Sequence, residues 1–384
     1  MSRGDLLVVA GEASGDLHAA RLLRGVLERR PAIRAFGLGS DELRALGVDL
    51  VADSREIAVV GIVEAWSVLA RAREIFAALL AEVERRRPAV AVLVDFPDFN
   101  LRLARALRRR GVRVAYYVSP QVWAWRRWRV RAIAESVERM LLLFSFEEPF
   151  YRRAGVTALH VGHPLVDEVP ALPQAWDEVP AGALPAHYRL ALLPGSRASE
   201  VAALLPVMLA AARELAERLP LAVTLIRAAA IDAGALERQV AAAAGELTIE
   251  IVDRDRYQKV AAAHLALCAS GTATLETGLL GTPLIVIYRL SRLTWWLARL
   301  LVRVPHASLV NLVLGRAVVP ELLQAAATAR RIAAEAEGLL RSRGAIEAMR
   351  TGLAELRSRL GRPGASQRAA EAVLELIDER VEAA

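Results

Sequence analysis

Lysine and cysteine are almost missing from this 384-residue chain: Lys259 is the lone lysine and Cys268 the lone cysteine. One cysteine excludes an internal disulfide and a cysteine-based zinc cluster, and it suits a reducing compartment. All but one of the 50 basic residues are therefore arginine. With Ala and Leu abundant, that bias reads as the imprint of a GC-rich coding sequence and lowers the functional weight of any one arginine. Every long apolar stretch is broken by Arg or Glu, so no transmembrane span is expected. The N-terminus passes straight into the apolar run Leu6–Ala10, with no signal peptide expected. Short-period repeats and low-complexity tracts are missing too. So are the glycine fingerprints of nucleotide loops. Gly37-Leu-Gly39 has Glu42 where a third glycine belongs, and no loop closes on Gly-Lys-Ser/Thr. These absences point to a cytoplasmic protein.

What is present describes a folded globular chain, 55% hydrophobic and 24% charged, long enough for two domains. A net charge of +7 favours an anionic partner: nucleic acid, a phosphorylated small molecule or an acidic membrane face. Apolar runs at Leu6–Ala10, Ala35–Leu38, Ala89–Val94, Val112–Val118, Met140–Phe144 and Ala158–Val161 alternate with helical patterns such as Leu17–Arg29 and Leu101–Arg110. That rhythm predicts a parallel sheet covered on both faces. Five prolines between Pro164 and Pro185 read as a linker. The rhythm then repeats at Leu190–Leu193, Ala222–Ile226, Leu247–Val252, Leu265–Cys268 and Leu284–Tyr288, and from Ala325 onward the pattern is helical. The expectation is an α/β chain of two doubly wound domains with a cleft between two sets of strand C-termini.

The polar residues gather where those strands end. Gly11, Glu12, Ser14, Gly15 and Asp16, with His18 beyond, follow the first strand, either capping a helix or facing a ligand. Asp95 and Asp98 flank Phe96-Pro97 and precede Phe99 and Asn100. A general base works best in a partly apolar setting that raises its pKa, and this pair is the strongest such candidate. Asp98 also reads as a helix cap, as does Asn100. Gly195 and Ser196 make a turn with free N–H groups, and Arg197 could fork onto a phosphate. In Cys268–Glu276 a strand turns at Ser270 and Gly271 into a helix starting near Thr272. Such a turn aims free N–H groups at an anion, and Glu276, one turn in, is placed for the vicinal hydroxyls of a ribose. The same pattern reads as an ordinary turn with a Glu for the helix dipole.

Four segments keep two readings each. Val59–Leu80 is a core helix or a greasy surface that receives acyl chains. Tyr117–Arg131 mixes Trp123, Trp125 and Trp128 with arginines and suits either single-stranded nucleic acid or a lipid interface. Arg292, Arg299 and Arg303 stripe one helix face beside Trp295 and Trp296, as on a helix lying on an anionic bilayer or at the solvated edge of a core. His160 and His163 look metal-like but read as structural, and Asp253-Arg-Asp255 matches a short D-x-D pattern seen at metal sites but too common by chance to carry weight.

Taken together, Ala10–Asp16, Pro97–Asn100, Tyr117–Pro120 with Val122–Trp125, Leu192–Arg197, Ala269–Glu276, and Ser308–Leu312 with Gly315-Arg316 resemble the lipid-A-disaccharide synthase family. The pieces run in family order across about residues 6–325; Val310 departs, standing where the family usually has proline. The resemblance implies a GT-B glycosyltransferase with two Rossmann-like domains facing a central cleft. Their bounds are 1–165 for the acceptor and lipid and 166–345 for the UDP-sugar, with 346–384 as helices that could pack back on the first domain. It implies an inverting, metal-independent and cofactor-free reaction. UDP-2,3-diacylglucosamine and 2,3-diacylglucosamine 1-phosphate would give UDP and the β-linked disaccharide. The protein would be cytoplasmic, peripheral on the anionic inner membrane and free of nucleic acid, with monomer and homodimer both open. Residue by residue it implies Arg197, Glu276, Asn311 and Gln324 on UDP, beside Ser196, Ser270, Gly271 and Thr272. Asp98 becomes the base, and Gly11, Glu12, Ser14, Gly15, Asp16 and Asp95 line the substrate. Two rivals stand beside it: another enzyme using UDP-N-acetylglucosamine (an epimerase or the muramyl-peptide glucosaminyltransferase), and a nucleic-acid binder built on Trp123–Arg131.

Overall fold

The computed structural model describes residues 5–57, 65–124, 128–289 and 305–382. The chain divides into two compact units, Met1–Pro164 with Gly361–Ala384, and Leu165–Leu360. In the first, β1 (Leu6–Ala10), β2 (Ala35–Gly39), β3 (Asp49–Asp53), β4 (Val90–Val94), β5 (Arg113–Tyr117), β6 (Arg139–Leu142) and β7 (Ala158–His160) form one sheet. Its order is β3-β2-β1-β4-β5-β6-β7, parallel throughout. Side chains alternate across a strand, so Leu7, Val9, Leu93 and Tyr116 enter one core layer while Leu6, Val8, Val92 and Tyr117 enter the other. With both faces covered, the strands read as unbroken apolar runs.

The second unit repeats the plan with β8 (Tyr188–Leu193), β9 (Leu221–Ile226), β10 (Ile249–Val252), β11 (Leu265–Ala269), β12 (Leu284–Tyr288) and β13 (Glu321–Leu323), in the order β10-β9-β8-β11-β12-β13. In each sheet the strand order reverses once, between β1 and β4 and between β8 and β11. Open α/β sheets bind ligands outside the strand C-termini at that reversal. The first unit thus brings together the ends of β1 and β4, and the second the ends of β8 and β11.

Two strands escape the sequence pattern. β3, Asp-Leu-Val-Ala-Asp, and β13, Glu-Leu-Leu, are edge strands whose apolar runs are only three and two residues long. The proline-rich stretch is not a loose linker. It carries the helix Leu165–Glu168 and a 3-10 turn at Ala175–Glu178, and buries Trp176, whose Nε1 donates to the His264 carbonyl at 2.8 Å. Arg350 donates to Gln174 at 3.0 Å and to Asp177 at 2.5 Å, and Arg357 donates to the carbonyls of Val166 and Val169. The helix Arg343–Leu360 stays with the second unit. The last helix, Ala365–Glu382, belongs to the first, where Ala369, Ala370 and Val373 share a core layer with Ala19, Leu22, Leu23 and Val26 of the helix Ala13–Arg29.

Candidate active site

At the reversal of the first sheet, β4 ends in a kink. Asp95 and Phe96 both take left-handed φ, +47° and +48°, which an aspartate tolerates but a bulky phenylalanine seldom adopts without restraint. The restraint is visible. The Asp95 carbonyl accepts from the Tyr116 hydroxyl at 2.5 Å and from Asn100 Nδ2 at 2.8 Å, while the Asp95 N–H donates to the Tyr117 carbonyl at 3.0 Å. Burial, followed by the nearby Glu12 carboxylate, pushes the Asp95 carboxyl up to about 6. Gly11, at the end of β1, lets this happen, because a Cβ there would lie 2.3 Å from the Phe96 ring.

Asp98 stands elsewhere. The helix starts at Pro97, not near Leu101, with Pro97 in its first turn. Asp98 and Asn100 are therefore inside the first turn and neither caps it. Asp98 is 71% exposed and pairs with Arg129 at 2.6 Å, while Asn100 is fully buried beneath the kink. Asp16 is buried as well. Its carboxylate accepts from Ser40 N–H at 2.8 Å, Ser40 Oγ at 2.7 Å and Glu42 N–H at 2.9 Å, so it braces the turn after β2 and has little capacity left for substrate. Gly15 is buried against Ala10 and Val94, while Glu12 and Ser14 are exposed at the start of the helix Ala13–Arg29.

A second carboxyl in this unit had no signal in the sequence. Glu147 is buried and accepts from Ser119 Oγ at 2.6 Å and Trp123 Nε1 at 2.8 Å, and burial pushes it up to about 7. Trp123 packs edge-on to Phe146, which stacks on Phe144, so it is tied into the fold. Trp128, by contrast, is 71% exposed. The Glu147 value is raised on folding, so its contribution to stability is present below the ordinary value of 4.5 and is lost as pH rises through about 7. Glu147→Gln removes that loss. The melting temperature of the variant should gain on the native protein between about pH 5 and pH 8, by an amount on the order of 2 kcal/mol of stability. A constant difference across that range would show that Glu147 does not titrate there.

In the second unit a cavity of about 340 Å³, within the range of small-molecule sites, opens at the reversal of the sheet. One wall is the turn after β8: Gly195, Ser196 and Arg197, with Glu200 accepting from the N–H groups of Ser196 and Arg197 at 3.2 and 3.3 Å. The Arg197 side chain is 74% exposed and touches Glu200 Oε1 at 3.2 Å. The opposite wall is the turn after β11, where Ser270, Gly271 and Thr272 lead into the helix Thr272–Leu279. Gly271 has φ +150°, and no atom lies within 4 Å of where its Cβ would be. The Thr274 N–H donates to the Gly271 carbonyl at 3.0 Å, which leaves the Thr272 and Ala273 amides at the end of the helix where its dipole favours an anion. Ser270 Oγ donates to the Ala307 carbonyl at 3.0 Å. Glu276 also lines the cavity, and burial raises its carboxyl while Arg256 opposes the rise. Beneath it, Cys268 is buried, its thiol pushed up to about 12 and so unreactive.

Asn311 and Gln324 are not on the cavity wall. Asn311 is buried and saturated within the fold. Its Nδ2 donates to the Val319 carbonyl and Glu321, and its Oδ1 accepts from the N–H groups of Val318 and Val319. It braces its loop, a role that survives the loss of the neighbouring proline at Val310. Gln324 follows β13 with φ +52°. Arg256 and Tyr257, which the sequence did not single out, do line the cavity. Asp253 pairs with Arg227 at 2.6 Å, and among the described residues no cluster of three or more His, Cys, Asp or Glu could hold a metal ion. His163 is buried and pushed down to about 3, as a structural histidine would be. Residues 59–64 of the apolar stretch, Trp125 to Arg127, and the whole arginine-striped segment 292–304 lie outside the described residues.

Solved structures place this architecture. A UDP-N-acetylglucosamine 2-epimerase from Listeria monocytogenes shares it at TM-score 0.61 and 12% identity, over 100% of this chain and 98% of that one. MurG of Acinetobacter baumannii does so at TM-score 0.61 and 11% identity, over 97% and 100%. Two parallel α/β units of this kind define a GT-B glycosyltransferase fold. At such identities the likeness covers the fold alone. The lipid-A-disaccharide synthetase family profile matches residues 6–376. Lipid-A-disaccharide synthases of Myxococcus xanthus and Geobacter sulfurreducens are 48% and 42% identical, over 97% and 98% of both chains respectively. The chain belongs to the lipid-A-disaccharide synthase family and is a glycosyltransferase of lipid A biosynthesis. Among the described residues no helix is long and apolar enough to cross a membrane.

Proposed function

We propose that this chain transfers 2,3-diacylglucosamine from UDP to 2,3-diacylglucosamine 1-phosphate, with inversion, and that its second unit holds the UDP. The observation that carries this reading is the pair of turns at the reversal of the second sheet. Open helix amides and Gly271 face Arg197 across a cavity, with Glu276 beside them. Amides and a guanidinium suit a diphosphate, and a carboxylate suits a ribose diol rather than a phosphate. The relatives' shared name supplies the identity of the two sugars.

For the chemistry, Asp95 is the better proton acceptor of the two aspartates. It is half-buried, and its value of about 6 lies near neutral pH, whereas Asp98 is exposed and held by Arg129. The primary hydroxyl of the acceptor gives its proton to Asp95, and its oxygen forms a bond to the anomeric carbon. The bond from that carbon to the diphosphate oxygen breaks as UDP departs. The charge growing on UDP is met by the amides at Gly271–Thr272 and by Arg197, which supply the stabilisation a metal gives in other transferases. Turnover should therefore be unchanged, within about twofold, in excess EDTA, since electrostatic stabilisation by fixed donors needs no cation. Loss of activity in EDTA that magnesium restores would return Asp253 and Asp255 to consideration.

The acyl chains of both proposed substrates support a peripheral position on a membrane, which we read as the cytoplasmic face of the inner membrane. The exposed Trp128 beside Arg129 and the net charge of +7 support an anionic lipid surface over a nucleic acid.

A further inference from the structure

Glu276 does not stand alone in the cavity. Arg256 Nη2 donates to Glu276 Oε1 at 2.9 Å, and the Tyr257 hydroxyl donates to the same oxygen at 3.1 Å. Arg256 Nη2 also lies 2.9 Å from the Tyr257 hydroxyl, with the guanidinium carbon 4.7 Å from the Tyr257 ring centre, so the two donors fix one another. Both sit at the start of the helix Arg256–Ala261, whose preceding residue Asp255 turns the chain with φ +52°. That turn aims the side chains back at the helix Thr272–Leu279.

The consequence is an asymmetric carboxylate. Oε1 is held by two donors, while among the described residues no protein donor reaches Oε2. A free glutamate turns about its side-chain bonds and offers either oxygen. This one has its rotamer set by its neighbours, with acceptor capacity kept for a ligand. We propose that Arg256 and Tyr257 are positioning residues for ribose recognition: they lock Glu276 so that it accepts from the ribose hydroxyls, and so set the preference of the site for a ribonucleotide over a deoxyribonucleotide. The inference rests on the reading of the cavity as a UDP site. It adds two residues whose effect passes through Glu276 and not through the diphosphate.

The distinction is testable because a positioning role couples to the ligand's hydroxyls, whereas a cation near the diphosphate, or a purely structural ion pair, does not. Calorimetric titration of the purified full chain with UDP, 2′-deoxy-UDP and 3′-deoxy-UDP gives three affinities per variant. The native protein should bind UDP at least about tenfold more tightly than the poorer deoxy analogue, as hydrogen bonds to a charged acceptor warrant. Arg256→Gln should weaken UDP about tenfold but that analogue less than about threefold, so that the preference nearly disappears, which is the signature of coupling between residue and hydroxyl. Tyr257→Phe keeps the ring against the guanidinium and should move the same ratio by less. Equal weakening of all three ligands, or an unchanged preference in both variants, would overturn the inference while leaving the UDP site standing. A native protein that binds UDP without preferring it over either analogue would likewise overturn the inference alone, whereas failure to bind UDP at all would overturn the UDP reading and the inference with it.

Discussion

Asp95→Asn should lower kcat by about 10²–10⁴-fold, the usual worth of a general base, while the dissociation constant for UDP stays within about twofold. The substitution isolates the proton-accepting function. Asparagine keeps the size of the side chain and tolerates the left-handed backbone at φ +47°, so the kink held by Asn100 and Tyr116 survives. What is lost is the carboxylate that burial and Glu12 have raised to about 6. The pH profile carries the same signature. The active form is ionised, so kcat/KM falls as pH drops through about 6 and is flat above it until another group titrates. Asp98→Asn breaks the exposed pair with Arg129, and an exposed pair contributes little, about 0–1 kcal/mol, so its effect on kcat should stay below about tenfold. The opposite result, with Asp98→Asn inactive and Asp95→Asn active, would move the base to Asp98 and leave the raised carboxyl of Asp95 without a catalytic role. Steady-state rates at saturating substrates and a UDP titration of each variant decide between the two.

Glu276→Ala should weaken UDP binding about 10- to 100-fold, because the proposed hydrogen bonds from the ribose hydroxyls would be lost and Arg256 and Tyr257 left without their acceptor. Magnitude separates this from the bland reading, in which Glu276 only complements a helix dipole. That role is worth about 0.3–1 kcal/mol and would change affinity by no more than about fivefold. An affinity within that limit, measured by calorimetry on a variant that melts as the native protein does, would remove Glu276 from ribose recognition.

How much of this could be read from the residues follows from what each residue answers to. The strands at the centre of each sheet are buried on both faces, so Leu6–Ala10 and Leu265–Ala269 announce themselves as apolar runs. β3 and β13 are edge strands with apolar runs of only three and two residues, and nothing short of the neighbouring strand defines them. The glycine turns at Gly195 and Gly271 were legible because their chemistry is local, and both line the cavity. The choice between Asp95 and Asp98 was not, because it depends on where the helix begins and on Tyr116 and Asn100 holding a kink. The internal partners of Asp16 and Asn311 are not legible in the sequence. Each is engaged from within the fold, Asp16 by donors about 24 residues away in the sequence. Arg256 and Tyr257 carry no motif and matter only because the sheet order sets β10 beside β9 and their loop reaches the cavity. The final helix was legible as a helix, but its place in the first unit depends on Ala369, Ala370 and Val373 fitting against Ala19 and Leu23.

The most direct test of the account is product analysis with the purified chain, UDP-2,3-diacylglucosamine and 2,3-diacylglucosamine 1-phosphate. A family glycosyltransferase whose second unit grips UDP through amides, Arg197 and Glu276 should release one UDP for each β-linked disaccharide 1-phosphate formed. Release of UDP without disaccharide, an α-linked product, or turnover of unacylated UDP-N-acetylglucosamine in the absence of the lipid acceptor would contradict it.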